Sequence, residues 1–420
     1  MIDIRNAGQL LIVFLLLGGS LLPLSLSAQS QSGGSTYSIF NIGDLQSSIT
    51  AAGAGRAGVE TAIAYSDLLN SVNPAAWTTL NYVTIQAGLR FEQYRVSDAD
   101  QSIWQNRTAF QNITVGIPFS EKLGGAIGLG IRPYTTVNYR TGHPREVPSG
   151  DTTVTADITY SGSGGVSQGF IGASINPFDK VALGATLDLY FGSSDHRSIV
   201  DFPGSTLNDA GYVNTDSWSG IGGTIGLFIT PTKNVTIGAT FTPGFTLTDK
   251  RESLSIFREG GIDDTVSVTE SESELLIPGR ISFGVSLKSG RTLLSGDLIM
   301  QAWGGHDQLS ETRNRLRAGI GLDYLPARGP IASGFSKWTW RTGLWYERTY
   351  YALSQGDIDE MGLAFGAHIP FSATGRLGSG AGADIGVELG TRGTIDNGLT
   401  RELFGKFSLE LSINEFWFSR

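Results

Sequence analysis

From Tyr82 onward the chain alternates. In Tyr82–Glu92 one series is apolar (Val83, Ile85, Ala87, Leu89, Phe91) and the interleaved series is polar or small (Tyr82, Thr84, Gln86, Gly88, Arg90, Glu92). Successive side chains of a strand point to opposite faces, so the pattern predicts a strand with one oily and one polar face. It returns at Ala109–Phe119, Ile127–Ile131, Val181–Phe191, Ile225–Ile229 and Val235–Phe241. It continues at Ile281–Leu287, Leu294–Met300, Leu316–Tyr324, Trp338–Tyr346, Met361–Ile369, Ala383–Leu389 and Leu403–Ile413. One less regular segment, marked by Ile158 and Tyr160 or by Phe170 and Ile171, is interrupted by SGSGGVSQG. With it, about fourteen strands are predicted, an even number in the range of bacterial outer-membrane barrels.

The connections carry a second pattern. Those after even-numbered strands read as mostly tight turns (Ser120–Lys122, Asn176–Lys180, Thr230–Asn234, Lys288–Arg291). Those after odd-numbered strands read as mostly longer, polar and acidic, as at Gly192–Ser217 and Thr248–Glu274. Short periplasmic turns facing longer outer loops are a membrane-barrel expectation, here with both ends of the barrel in the periplasm. Leu325–Lys337 and Pro370–Gly382 are longer than that rule expects.

A soluble β-sandwich also alternates. An array this long exceeds one sandwich, however, and its aromatics collect near strand ends (Tyr82, Phe91, Phe119, Tyr190, Phe191, Tyr346, Trp417, Phe418), as interface girdles require. Charge is confined to the polar face: Arg90, Glu92, Asp188, Asp297, Arg341, Glu347, Glu388 and Glu410. Charge on a lipid face is costly, so these residues are expected to pair across a lumen. Arg90 and Arg341 are the candidates for contacting a carboxylate headgroup.

The chain has 420 residues, 57 Gly, no Cys and a formal charge of −9. Without Cys there are no disulfides, thiolate metal sites or thiol nucleophiles. No long basic run points to nucleic acid. Residues 1–28 carry Arg5, an apolar core from Leu10 to Leu17 and small residues at Ser27-Ala28, which is a signal-peptide pattern. The rival reading is an uncleaved anchor, which Gly18-Gly19 and Pro23 disfavour. No later stretch approaches the ~20 apolar residues of a spanning helix. The expected organisation is therefore signal peptide 1–28, linker and N-terminal hatch 29–80, and transmembrane β-barrel 81–420.

A lumen enclosed by about fourteen strands is too wide for wall side chains alone to fill. The segment Gly53–Trp77 is the candidate plug: rich in small residues, kinked, ending in Asn73-Pro74-Ala75. Ser66 is placed to cap a short helix through Leu69, and Pro74 to start another turn. Gly53, Gly55 and Gly58 spell G-x-G-x-x-G, but no strand precedes them and no βαβ pattern follows, so close packing explains them better than a nucleotide. Of the four histidines only His368 falls on a strand, facing the lumen. No catalytic constellation or metal-ligand spacing is found, and no enzyme activity or cofactor is expected.

Three stretches carry a family resemblance: GAGRAGVETAIAYSDLLNSVNPAAW, IPGRISFGVSLKSGRTLLSGDLIMQAW and ELGTRGTIDNGLTRELFGKFSLELSINEFWF. The chain resembles the FadL/TodX outer-membrane transporters of long-chain fatty acids and other hydrophobic molecules, in a Bacteroidetes-type form. The resemblance implies an all-β, fourteen-stranded barrel with an N-terminal hatch, and a hydrophobic ligand (fatty acid or aromatic hydrocarbon) released sideways into membrane lipid. Asn73, Pro74 and Ala75, with Gly53, Gly55 and Gly58, are the implied gating residues. Gly128, Gly130 and Pro133 of the third strand are the implied wall kink. Two alternatives stay open: a general diffusion porin, and a barrel that binds a secreted-protein partner.

Overall fold

The computed structural model describes residues 31–415 except 121, 150–151, 204–207, 260–261, 306–308, 310, 327–333 and 372–379. The expected leader, His306, and Trp417 and Phe418 of the expected girdle lie outside the described residues.

Fourteen antiparallel strands close into one barrel. They are β1 (Val83–Ser97), β2 (Ser102–Ser120), β3 (Gly125–Pro133 and Thr135–Ser149), β4 (Thr152–Phe178), β5 (Val181–Asp201), β6 (Asp209–Thr232) and β7 (Val235–Thr242 and Phe245–Glu259). There follow β8 (Ile262–Ile277 and Arg280–Ser289), β9 (Thr292–Gln301), β10 (Arg315–Tyr324), β11 (Thr339–Leu353), β12 (Gly356–Phe371), β13 (Gly380–Arg392) and β14 (Arg401–Glu415). Each pairs with the next, and β14 pairs back onto β1 from Arg401↔Ser97 to Glu415↔Val83. Apart from a seam between β2 and β3, closure pairs the strands all round, which is what lets them cross hydrocarbon.

Burial is inverted relative to a soluble protein. On β1, Ile85 and Leu89 are 43% and 57% exposed, whereas the intervening Thr84, Gln86, Arg90 and Glu92 are all below 5%. The oily face points to lipid and the polar face to the lumen, which disposes of a sandwich. No helix among the described residues is long and apolar enough to cross a membrane; the strands do the crossing.

Periplasmic turns are tight at Asp179-Lys180 and Gly290-Arg291, whereas the longer connection from β10 to β11 carries a 3-10 turn at Gly334–Lys337. The outer side departs from the sequence expectation. Gly192–Ser217 and Thr248–Glu274 are not long loops but mostly strand, the outer ends of β5, β6, β7 and β8. SGSGGVSQG likewise does not split the fourth strand: β4 runs unbroken for 27 residues, bending at Gly164 and Gly165, where φ is +111° and +131°. At ~3.3 Å per residue that is about 90 Å of strand against an apolar band about 25 Å tall. Once both faces are wet, pairing continues but the oily–polar alternation stops, so the sequence signal disappears while the strand does not.

The wall breaks at β3. Pro133 has no N–H to extend the ladder, and the strand divides at Tyr134. Below it, β3 pairs with β2 from Ile113↔Ile131 to Ser120↔Gly125. Above it, Val137–Ser149 pairs with β4 alone, and no ladder joins it to β2 among the described residues. Gly128 and Gly130 lie inside the paired piece instead. An added Cβ at Gly128 would sit 2.8 Å from the Trp77 ring, and one at Gly130 would sit 2.6 Å from the Ile113 carbonyl.

Candidate functional site

Residues 47–80 lie inside the barrel and touch all fourteen strands. One short α-helix, Ala51–Ala54, is capped by the Thr50 hydroxyl, which accepts from Gly53 N. One 3-10 turn, Pro74–Thr79, is capped by Asn73. The expected helix from Ser66 to Leu69 is absent: those residues form bends whose backbone bonds to the wall, Leu69 N donating to Gln86 at 2.5 Å.

The wall makes room for this backbone with facing glycines. Gly184 and Gly226 are register partners on β5 and β6, and an added Cβ there would lie 2.5 and 2.9 Å from Ala75 N. Gly238 and Gly284 do the same for Thr61 and Ala62 on β7 and β8. Gly366 and Gly386 receive Gly55 on β12 and β13, with Gly366 Cα within contact of Gly55 itself. Gly58 takes φ +77° and an added Cβ at Gly53 would meet Glu60, so all three glycines of the G-x-G-x-x-G run are spent on packing.

Asn73 is fully buried. Its amide donates to the carbonyls of Thr61 (2.9 Å) and Leu227 (3.0 Å), and its side-chain oxygen accepts from Ala75 N (3.0 Å). It therefore ties two turns of the segment to β6. Asn70, which the sequence reading did not single out, is its counterpart. Its amide donates to Glu60 O and Ile63 O, its side-chain oxygen accepts from Val72 N and Asn73 N, and its carbonyl accepts from Trp77 Nε1. Asn73→Ala should weaken docking by about 2–3 kcal/mol, because Thr61 O and Ala75 N are left buried and unpaired. Hydrogen exchange at 60–79 should rise while the barrel strands stay protected.

Charged groups bolt the segment to the wall. Arg56 makes a bidentate pair with Asp323 of β10 at 2.7 and 2.5 Å and also donates to Tyr65 Oη at 2.6 Å. Asp297 of β9 accepts from Glu60 N and Thr61 N at 2.7 and 2.8 Å. Glu410 of β14 accepts from Ala51 N, and Ser48 donates to Glu388 of β13. The two arginines considered for a headgroup are engaged within the fold. Arg90 bonds Ser408 and the Ser48 carbonyl, and Arg341 pairs with Asp384. His368, as expected, faces inward, its Nδ1 at 2.9 Å from Asp384.

Above this polar layer the lumen turns aromatic. Tyr190 stacks on Phe245 (4.0 Å between centroids), Tyr134 meets both edge-on, and Trp303, Tyr350 and Tyr351 complete the group. Tyr37, Ile42 and Leu45 pack into its centre. Toward the outer mouth a cavity of about 610 Å³ opens above Tyr37 and Phe40, walled by Val96, Ile103, Ile158 and Leu399.

A charged cluster sits at that mouth, beyond the apolar band. Arg251 pairs with Asp216, near which lie Asp249 and His196. Burial, then the neighbouring Asp216 carboxylate, pushes Asp249 up to about 6, against the pull of Arg251. A raised carboxyl pKa means that the folded state gains relative stability as pH falls from about 6 toward the ordinary value near 3.8. His196 is held below its ordinary value, chiefly by burial, and opposes this on acidification. Asp249→Asn should therefore stabilise the fold by on the order of 1 kcal/mol at pH 7.5 and not at pH 4, read as a higher melting temperature at the first pH only, since water at the mouth screens much of the effect.

The BamG family matches residues 9–420. No curated protein matches the chain. Among solved structures, a Pseudomonas aeruginosa FadL homologue is 14% identical with a TM-score of 0.62, covering 89% of this chain and 99% of its own. The Ralstonia pickettii toluene transporter TbuX is 14% identical with a TM-score of 0.59, covering 88% and 99%. The Pseudomonas putida toluene transporter TodX is 14% identical with a TM-score of 0.57, covering 89% and 99%. At such identity the likeness is one of fold, and it agrees with the FadL/TodX resemblance read from the sequence. The chain thus belongs to the BamG family, and it is a fourteen-stranded outer-membrane barrel with the fold of the FadL-type channels.

Proposed function

We propose that the protein passively imports hydrophobic small molecules across the outer membrane, residues 47–80 acting as a hatch and the β2–β3 break as a lateral exit. The break carries the reading. It opens at the top of the apolar band: on β1 the lipid-facing series passes from Leu89 and Phe91 to Gln93 and Arg95, and Phe91 is level with Thr108 of β2. A hydrophilic solute gains nothing from a door into lipid. An apolar one gains ~0.8 kcal/mol per methylene by leaving into the bilayer instead of water. The aromatic upper lumen suits such cargo, and two fold relatives are named as toluene transporters. A lumen occupied on every side does not suit an open diffusion pore.

A second reading rests on a separate observation. The outer ends of β3 to β8 rise beyond the bilayer on one side and expose Tyr212, Phe257 and Val268 among polar residues, a surface suited to a secreted-protein partner. Uptake of a labelled long-chain fatty acid and of labelled toluene, by cells with this protein as their sole such transporter, separates the two. Protein-dependent uptake that falls in Asn73→Ala/Pro74→Ala at equal surface abundance supports the hatch. Uptake untouched by the substitutions removes the gating roles of Asn73, Pro74 and Ala75. No uptake of either compound moves the assignment to the partner-binding barrel.

A further inference from the structure

The edges exposed by the β2–β3 break are not bare. Gln31–Ser32 pairs in parallel with Gln105–Asn106 of β2, and Gly33 N donates to Asn106 O at 3.3 Å. The chain then crosses to the other edge. Gly34 N donates to Asn138 O at 2.9 Å, Ser38 Oγ accepts from Asn138 N at 3.0 Å, and Asp44–Leu45 pairs antiparallel with Thr135–Thr136. Gln46 N finally donates to Tyr134 O at the break itself. Residues 31–46 thus enter the barrel through its side, satisfying strand groups that the missing β2–β3 ladder leaves open. The inward side of the same stretch puts Tyr37, Ile42 and Leu45 among the aromatics of the upper lumen.

We propose that residues 31–46 are a displaceable strap that holds the side door shut and fills the apolar lumen in its closed state. Two features make it the removable part. It is held by two-residue pairings, whereas the neighbouring β1–β2 ladder runs from Thr84↔Gly116 to Ser97↔Ser102. On its inner side it is anchored by polar contacts to the β13–β14 wall, Ser35 and Thr36 donating to Glu402 and Asp44 pairing with Arg392, and by the burial of Tyr37, Ile42 and Leu45, the part that an apolar molecule arriving from the outer cavity replaces in kind. Cargo and strap then compete for one space, so that filling the lumen opens the wall. This coupling rests on the import reading; the closure of the door by the strap does not.

The chain has no Cys, so single-cysteine reporters are clean. Ala109 of β2 lines one small cavity with Pro133 and Thr136 beside the break, and Ala109→Cys carries the reporter. The strap is loosened in two ways: by deleting 29–44, and by Gly43→Val. Gly43 takes φ +89°, and a Cβ there would lie 2.5 Å from Thr136 O, so the barrel stays intact while the strap does not fit. Labelling of Ala109→Cys by a membrane-impermeant maleimide should quicken about tenfold in either background, as for a local opening. An unchanged rate in the folded variants overturns the proposal. Separately, Ser32→Cys with Asn106→Cys, register partners across the seam, is oxidised to fix the strap. Uptake of labelled toluene or fatty acid should stop on oxidation and return on reduction; unaltered uptake overturns the coupling. Faster labelling without uptake of any compound leaves the strap in place and removes the import reading.

Discussion

Gly238→Val is expected to expel the inserted segment and leave the barrel standing. The new Cβ would lie 2.0 Å from the Thr61 carbonyl oxygen and 2.7 Å from its carbon. Both are backbone atoms, so no rotamer relieves the clash. The facing Gly284 is blocked in the same way by Thr61, Ala62 and Asp297. The overlap exceeds the ordinary overpacking cost of about 1–3 kcal/mol, yet valine suits the strand itself. The barrel should migrate normally on unheated gels and show new ion conductance in planar bilayers, with outer-membrane sensitivity to a bulky hydrophilic antibiotic. Gly296→Val is the control, since an added Cβ there comes no nearer than 3.5 Å to another atom. Unchanged conductance in Gly238→Val would mean that the segment does not close the lumen.

Asp323→Ala is expected to have the next largest effect. It leaves the fully buried Arg56 guanidinium with the Tyr65 hydroxyl and without its carboxylate. Breaking one side of a buried pair costs about 3–5 kcal/mol, because the remaining charge stays desolvated. Arg341 stands 3.6 Å from Asp323, so Arg56→Met should cost less: the carboxylate keeps a second partner. The double variant Arg56→Met/Asp323→Leu should recover most of the loss, as no charge is left behind. Hydrogen exchange at residues 50–65 reads all three. Equal protection in the single and double variants would show that the pair does not hold the segment.

Much of this architecture was legible in the sequence, for a definite reason. A lipid-facing strand must show oil on every second residue, and the thirteen alternating segments and the one less regular segment are the fourteen strands that form. The Gly-rich run and Asn73-Pro74-Ala75 were also visible, because only small residues permit backbone to lie against backbone. What was not legible is what lacks a local pattern. The outer strand ends are wet on both faces and read as loops. Asn70 looked like any loop asparagine, and Asp323 and Arg56 are 267 residues apart. Ser66–Leu69 reads as a helix start because Ser and Asp cap helices, but the wall offers its backbone other partners. Gly128 and Gly130 were assigned to the kink by residue type, whereas they make room for Trp77 and for the neighbouring strand.

The sequence by itself determined the strand number, the face that meets lipid, and the presence of a small-residue segment unlike the wall. These follow from local rules: period-two alternation in a hydrocarbon solvent, and the steric demand of close packing. Tertiary structure alone decided which glycines sit side by side on neighbouring strands, which acids receive Arg56 and the Glu60–Thr61 backbone, and that residues 31–46 enter through the side. Those are pairings between parts of the chain well separated in sequence, up to 267 residues for Arg56 and Asp323. Closing the barrel sets their register, and no local window of the sequence records it.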